Sequence, residues 1–143
     1  MGSPFAPTTF RVAEKVWGFA PCAGAITEIA TAAPGYTSIR PQSAAPLAEV
    51  LRLNGFATAQ FGKCHEVPVW QTSTVGPFDA WPTGGGGFEH FYGFLGGETH
   101  QYYPELVYDN HQVEPPKSPE EGYHLTEDLV DKAISFVADA KQV

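Results

Sequence analysis

The sequence predicts an α/β fold in which helices flank a mostly parallel central sheet. Three features point to it. A helix, a glycine stop and a short strand follow one another through 43–65 (SAAPLAEVLRLNGFATAQFGKCH). An amphipathic helix fills 126–141. Both helices carry apolar stripes that need a sheet to cover, and helix followed by strand across a short joint is the αβ half of a βαβ unit, which favours parallel pairing. Only one strand reads clearly, and a lone strand or pair is not stable by itself. The expectation is therefore a piece of a larger α/β domain, incomplete within this chain.

The bulk composition sets the limits. A chain of 143 residues suits one domain, and 43% hydrophobic with 17% charged residues is a globular composition, not a disordered one. The formal net charge of −8 leaves no basic stripe to displace counterions, so nucleic acid is not expected as a partner. A local cationic site still fits inside an acidic protein. Cys22 and Cys64 make no disulfide framework; a bridge between them is open, but two thiols in a chain of this size are more often reduced. No apolar run approaches the roughly 20 residues of a membrane helix. MGSPFAPTTF has neither a basic n-region nor an apolar h-region, so no signal peptide is expected and the cytoplasm is the default compartment. Gly2 lacks the Ser or Thr that myristoylation wants, because Ala6 occupies that position.

Residues 1–25 form an atypical start, and five prolines punctuate 1–42 with no sustained apolar period. This stretch reads as connection, with a turn at Pro34-Gly35. Ser43 is placed to cap a helix whose first turn accommodates Pro46, and Gly55 is a natural stop. Phe56 to Phe61 then alternates well enough for a buried strand. Residues 66–122 hold Gly84-Gly85-Gly86-Gly87, Gly96-Gly97 and many aromatics. That is too long for a structureless connection, so an ordered insertion over the sheet edge is expected, with a short strand within Tyr102 to Tyr108 ending at an Asp109-Asn110 turn. Thr126 is placed to cap the last helix, whose stripe is Leu129, Ala133, Phe136 and Ala140, widened by Val130, Ile134 and Val137.

The chemistry concentrates at Lys63 and His65. In extended backbone, residues i and i+2 point to one side, so the ammonium and the imidazole share a face and Cys64 turns away. A cation and a proton carrier at a strand's end suit an anionic ester. Lys supplies a point charge to oxygens that gain negative charge in the transition state, and His donates to a leaving oxygen or relays a proton. The alternative is a solvated lysine and a structural histidine. His90, His100, His111 and His124, with Glu66, Glu89 and Glu98, fall into no metal-binding spacing. The four-glycine run lacks a following G-K-[ST], and no G-x-S-x-G elbow is present. Asp109-Asn110 reads as a turn, not a cation site.

LAEVLRLNGFATAQFGKCHE resembles the second sulfatase signature, in which an N-G-Y/F-x-T strand runs into G-K-x-H. ITEIATAAPGYTSIRPQSAAPLAEVLRLNGF, GPFDAWPTGGGGFEHFYGFLGGE and EEGYHLTEDLVDKAISFV are likewise similar to segments of bacterial arylsulfatases, so the resemblance covers nearly the whole chain from about Ile26. It implies an alkaline-phosphatase-like fold and a sulfuric ester hydrolase acting on a small-molecule sulfate ester. Family members use a formylglycine nucleophile made within C/S-x-P-S/T-R and a calcium ion held by acidic residues and an Asn. By the same resemblance Lys63 and His65 match the lysine and histidine that contact the sulfate ester, as catalytic and substrate-binding residues. The chain departs from the pattern elsewhere. Neither Cys22 nor Cys64 begins C-x-P-S/T-R, Phe5-Ala6-Pro7-Thr8-Thr9 echoes it only faintly, and the paired aspartates and later Asp-Asn are missing. The expectation is a partial sulfatase catalytic domain spanning 1–143, with neither nucleophile nor metal ligands of its own and inactive in isolation. Two rivals stand beside it: a phosphodiesterase or phosphonate hydrolase of the same superfamily, and a degenerate module that binds an anion or a partner.

Overall fold

The computed structural model describes residue 40 and residues 43–141. Readings that concern 1–39, including Cys22 and the Phe5–Thr9 echo, lie outside the described residues. Two helices, α1 (Leu47–Leu53) and α2 (Leu125–Ala140), accompany β1 (Ala59–Cys64), β2 (His90–Leu95), β3 (Leu106–Tyr108) and β4 (His111–Val113). The strands lie in the order β1-β2-β3-β4. β1 and β2 are parallel, and the two later pairs are antiparallel. Among the described residues the sheet is thus mixed, not mostly parallel. The parallel pair β1–β2 is joined through 65–89 and not across α1, so a strand ahead of α1, which the helix–strand joint implied, lies outside the described residues; the antiparallel pairs come from the hairpin at Asp109-Asn110 and the loop before it.

Helix α1 begins three residues later than a Ser43 cap would place it. Pro46 is the N-cap, in extended backbone, and no side chain caps the helix. The end is as expected: Gly55 has φ of 80°, and Phe56 N–H donates back to the Leu51 carbonyl at 3.1 Å, a left-handed glycine stop.

Strand β1 starts three residues later than the alternation of 56–61 suggests. The reason is Thr58, which is buried and latched to the chain ahead of β2. Its backbone N–H donates to Glu89 Oε2 at 2.9 Å, and its hydroxyl accepts from Glu89 N–H at 3.2 Å. The regular ladder opens only after this side-chain clamp, with Ala59 opposite His90 and Cys64 opposite Leu95. Gly62 and Gly93 face each other at the middle of that ladder.

The largest departure concerns 66–122. It is not an insertion over the edge of a sheet, for it supplies three of the four described strands. HFYGFL of β2 is rich in aromatic residues and buried on both faces at its centre, so it shows no period-two alternation to read. On one face Tyr92 and Leu106 pack with Tyr123 and Leu125, joined by Phe61, Phe94 and Leu129. On the other, Cys64, Phe91 and Val107 pack with Val67 and Trp81. Residues 66–88 therefore form the cover of this second face. Trp81 is its centre: it is fully buried, meets Phe78 edge-on at 5.0 Å, and donates from Nε1 to the Gln71 carbonyl.

The hairpin falls where the Tyr102–Tyr108 reading ends, although β3 is only its last three residues. Asp109 turns the chain at φ of 53°, and its Oδ1 accepts from Phe91 N–H at 2.9 Å. Helix α2 is capped by His124, not by Thr126: the His124 Nδ1 accepts from Thr126 N–H at 3.2 Å. Leu129 and Phe136 face the sheet, with Phe136 6.0 Å from Phe61. Val130, Ile134 and Val137 do not; they are 51%, 61% and 40% exposed.

Candidate functional site

Parallel pairing brings the carboxyl ends of β1 and β2 to one edge, where the loops leaving both strands begin. Such edges are where α/β sheets place their ligands. Lys63 lies within β1, opposite Phe94, with its side chain exposed. Cys64, next along the strand, is buried in the cluster around Trp81. Lys63 and Cys64 are thus in opposite environments, as extended backbone requires. His65 follows immediately after the strand and is partly buried.

What holds the imidazole is a residue the sequence reading passed over. A methyl group built on Gly97 would lie 3.1 Å from His65 Cε1 and 3.5 Å from Nε2. The ring thus rests on the bare backbone of the loop leaving β2. The Gly96-Gly97 pair just after an aromatic strand was the available signal. Gly97→Ala is expected to push the ring aside by a few tenths of an ångström. Stability should fall by about 1 kcal/mol, and the His65 ring resonances should shift; thermal unfolding and an NMR spectrum of the same variant check the two effects.

The other features marked in the sequence lie elsewhere. The four-glycine run packs backbone against backbone: a Cβ at Gly84 would come within 2.0 Å of the Phe78 carbonyl oxygen, and one at Gly87 within 2.5 Å of Glu49 N. It is a tight structural turn leading into β2, not a phosphate cradle. Asp109-Asn110 turns the β3–β4 hairpin beside the start of β2, away from Lys63, and Asp109 Oδ1 lies 3.5 Å from His90 Nδ1. His100 and His124 cap backbone N–H groups through Nδ1. The His111 ring lies tilted against Tyr108, 5.8 Å between centres.

Among the described residues no donor set fits the calcium or the formylglycine that the resemblance to sulfatases implies. Among the described residues no three His, Cys, Asp or Glu side chains come together to hold a cation. Cys64 points into the core, away from the face Lys63 exposes. No described helix is long and apolar enough to cross a membrane.

Comparison with protein families gives a match to Sulfatase over residues 19–143. Among curated proteins nothing matches. The matched stretch includes every described strand, both helices and the edge that carries Lys63 and His65, and on that extent the chain belongs to the sulfatase family.

Proposed function

We propose that this chain supplies the sulfate-contacting half of a sulfuric ester hydrolase of the alkaline-phosphatase-like class, with Lys63 and His65 as the contacting residues. One observation carries the reading: within a stretch that matches the family, an exposed lysine and a histidine stand at the carboxyl end of a parallel pair. The chemistry follows from the two groups. A sulfate monoester carries one negative charge shared over three non-bridging oxygens, and cleavage of its S–O bond moves charge onto the bridging oxygen. The Lys63 ammonium, with three donors on a flexible stem, neutralises non-bridging oxygens without demanding one geometry. In this reading His65, whose ring lies against Gly97, hydrogen-bonds the ester and carries a proton toward the oxygen that leaves. Nucleophile and cation ligands are not assembled by the described residues, so binding without turnover is the behaviour proposed for the purified chain.

A ligand panel tests the substrate class. Phenyl sulfate is expected to bind more tightly than methyl phenylphosphonate or diphenyl phosphate by calorimetry, with no release of phenol. Equal or tighter binding of the phosphorus esters would move the reading to the phosphodiesterase or phosphonate hydrolase branch. Failure of every anion to bind would favour a partner-binding module.

A further inference from the structure

The loop leaving β2 begins against His65 at Gly97 and returns into β3 at Leu106. Its backbone is fixed by side chains. Thr99 Oγ1 accepts from Glu105 N–H at 3.0 Å, and His100 Nδ1 accepts from the N–H groups of both Tyr102 and Tyr103 at 3.1 Å. The Gln101 carbonyl accepts from Leu125 N–H at 2.9 Å, which ties the loop to the start of α2. A loop held this firmly could have buried its aromatic rings. Instead Tyr102 and Tyr103 are 48% and 62% exposed.

The rings are not scattered. His100 lies 6.0 Å from Tyr102 and 5.5 Å from Tyr103, and Tyr102 meets His124 edge-on at 5.3 Å. They form a cluster of π-faces on a rigid loop. Rigid tyrosines that keep one side in water are a low-entropy surface for binding a ring. Position gives the cluster a purpose. Tyr102 is five positions after Gly97, at most about 18 Å of extended chain, and the chain bends at 96–97 and 101–103, which shortens the distance.

We propose that Tyr102 and Tyr103, positioned by His100, form the platform on which the organic ring of the sulfate ester packs. This rests on the reading of Lys63 and His65 as the sulfate end, and it names what that reading leaves open, the leaving group. The ligand chemistry is an uncharged ring with an apolar face, aryl or pyranose. Exposed Glu98 and Glu105 on the same loop accept ring hydroxyls and repel a second sulfate, so polysulfated chains are disfavoured.

The test is binding by the full chain, measured by calorimetry and saturation-transfer NMR. Ligands are phenyl sulfate, glucose 6-sulfate, butyl sulfate and inorganic sulfate. Tyr102→Ala/Tyr103→Ala should weaken at least one ring-bearing sulfate about tenfold, and which one identifies the ring as aryl or pyranose. Butyl sulfate and inorganic sulfate should bind as before, and Tyr102→Phe/Tyr103→Phe should restore the ring-bearing ligand. Unchanged binding of both ring-bearing sulfates to the alanine variant, with Lys63→Ala still abolishing sulfate binding, would overturn the platform and leave the sulfate end standing. The reverse pattern, rings lost with the tyrosines while Lys63→Ala changes nothing, would overturn the sulfate end and with it the leaving-group assignment. Equal losses for butyl sulfate and the ring-bearing sulfates would also overturn it, as the effect would not be ring recognition.

Discussion

Gly93→Ala is expected to break the sheet at its centre. A Cβ at this position would lie 1.9 Å from the Gly62 carbonyl oxygen and 2.8 Å from Gly62 N. The obstacle is backbone, so no rotamer change relieves it; β1 and β2 must move apart or lose their pairing. Gly62 cannot yield easily either, since it occupies φ of 106°, a conformation other residues rarely adopt. Overpacking of this kind costs at least about 3 kcal/mol, which for a chain of this size is a large share of total stability. Thermal unfolding should show a drop in Tm on the order of 10 °C or more. Gly96→Ala is the matched control: its Cβ would meet nothing closer than a Glu98 oxygen at 3.9 Å. Equal behaviour of the two variants would mean that β1 and β2 do not approach as described. Because the same pairing brings the loop of Gly97 to His65, Gly93→Ala should also weaken anion binding.

Asp128→Ala is the second substitution with a large expected effect. Asp128 is buried on α2, and its Oδ2 accepts from Tyr92 O–H at 2.7 Å and from Tyr123 O–H at 3.0 Å. One carboxyl group thus joins the helix, the sheet and the segment ahead of the helix. One turn further along, Lys132 Nζ sits 5.0 Å from the centre of the Tyr92 ring, a second tie from the same helix face. Removing the carboxyl leaves two buried hydroxyls without their acceptor, at about 1–3 kcal/mol each. Asp128→Leu combined with Tyr92→Phe and Tyr123→Phe removes donors and acceptor together, and should recover most of the loss. Denaturant titration of the single and triple variants checks this; a triple variant no better than Asp128→Ala would show that the loss comes from packing.

The same cluster sets an alkaline limit. Burial, then the hydrogen bond to Asp128, pushes both phenols well above the usual value of 10.0. The folded chain therefore keeps protons that the unfolded chain releases above about pH 10. The stability they contribute is whole below that pH and declines as pH rises past it. Tm should fall more steeply above pH 10 in the native chain than in the triple variant.

Much of this was legible from particular residues. Spacing alone put Lys63 and His65 at the end of a strand, and the same alternation sent Cys64 to the core and left Lys63 exposed. The Gly55 stop and the stripe of Leu129 and Phe136 followed from local chemistry. Strand β2 could not be read, because a strand covered on both faces has no polar side to give it a period. The caps were misplaced for a related reason: Ser43 and Thr126 are good cap residues, but Pro46 and His124 stand where the helices actually begin. The contact of His65 with Gly97 joins two strands 32 residues apart in sequence. Only the pairing of β1 with β2 reveals it.

We propose that Lys63 and His65 act on one anion at the carboxyl edge of β1. NMR titration of the purified chain with inorganic sulfate tests it most directly. The His65 Cε1–H resonance and the Lys63 side-chain resonances should shift together with a single Kd. Lys63→Ala should weaken sulfate binding by at least about tenfold and take the His65 shift with it. A His65 resonance that does not move at saturating sulfate, or that moves equally in Lys63→Ala, would contradict the account.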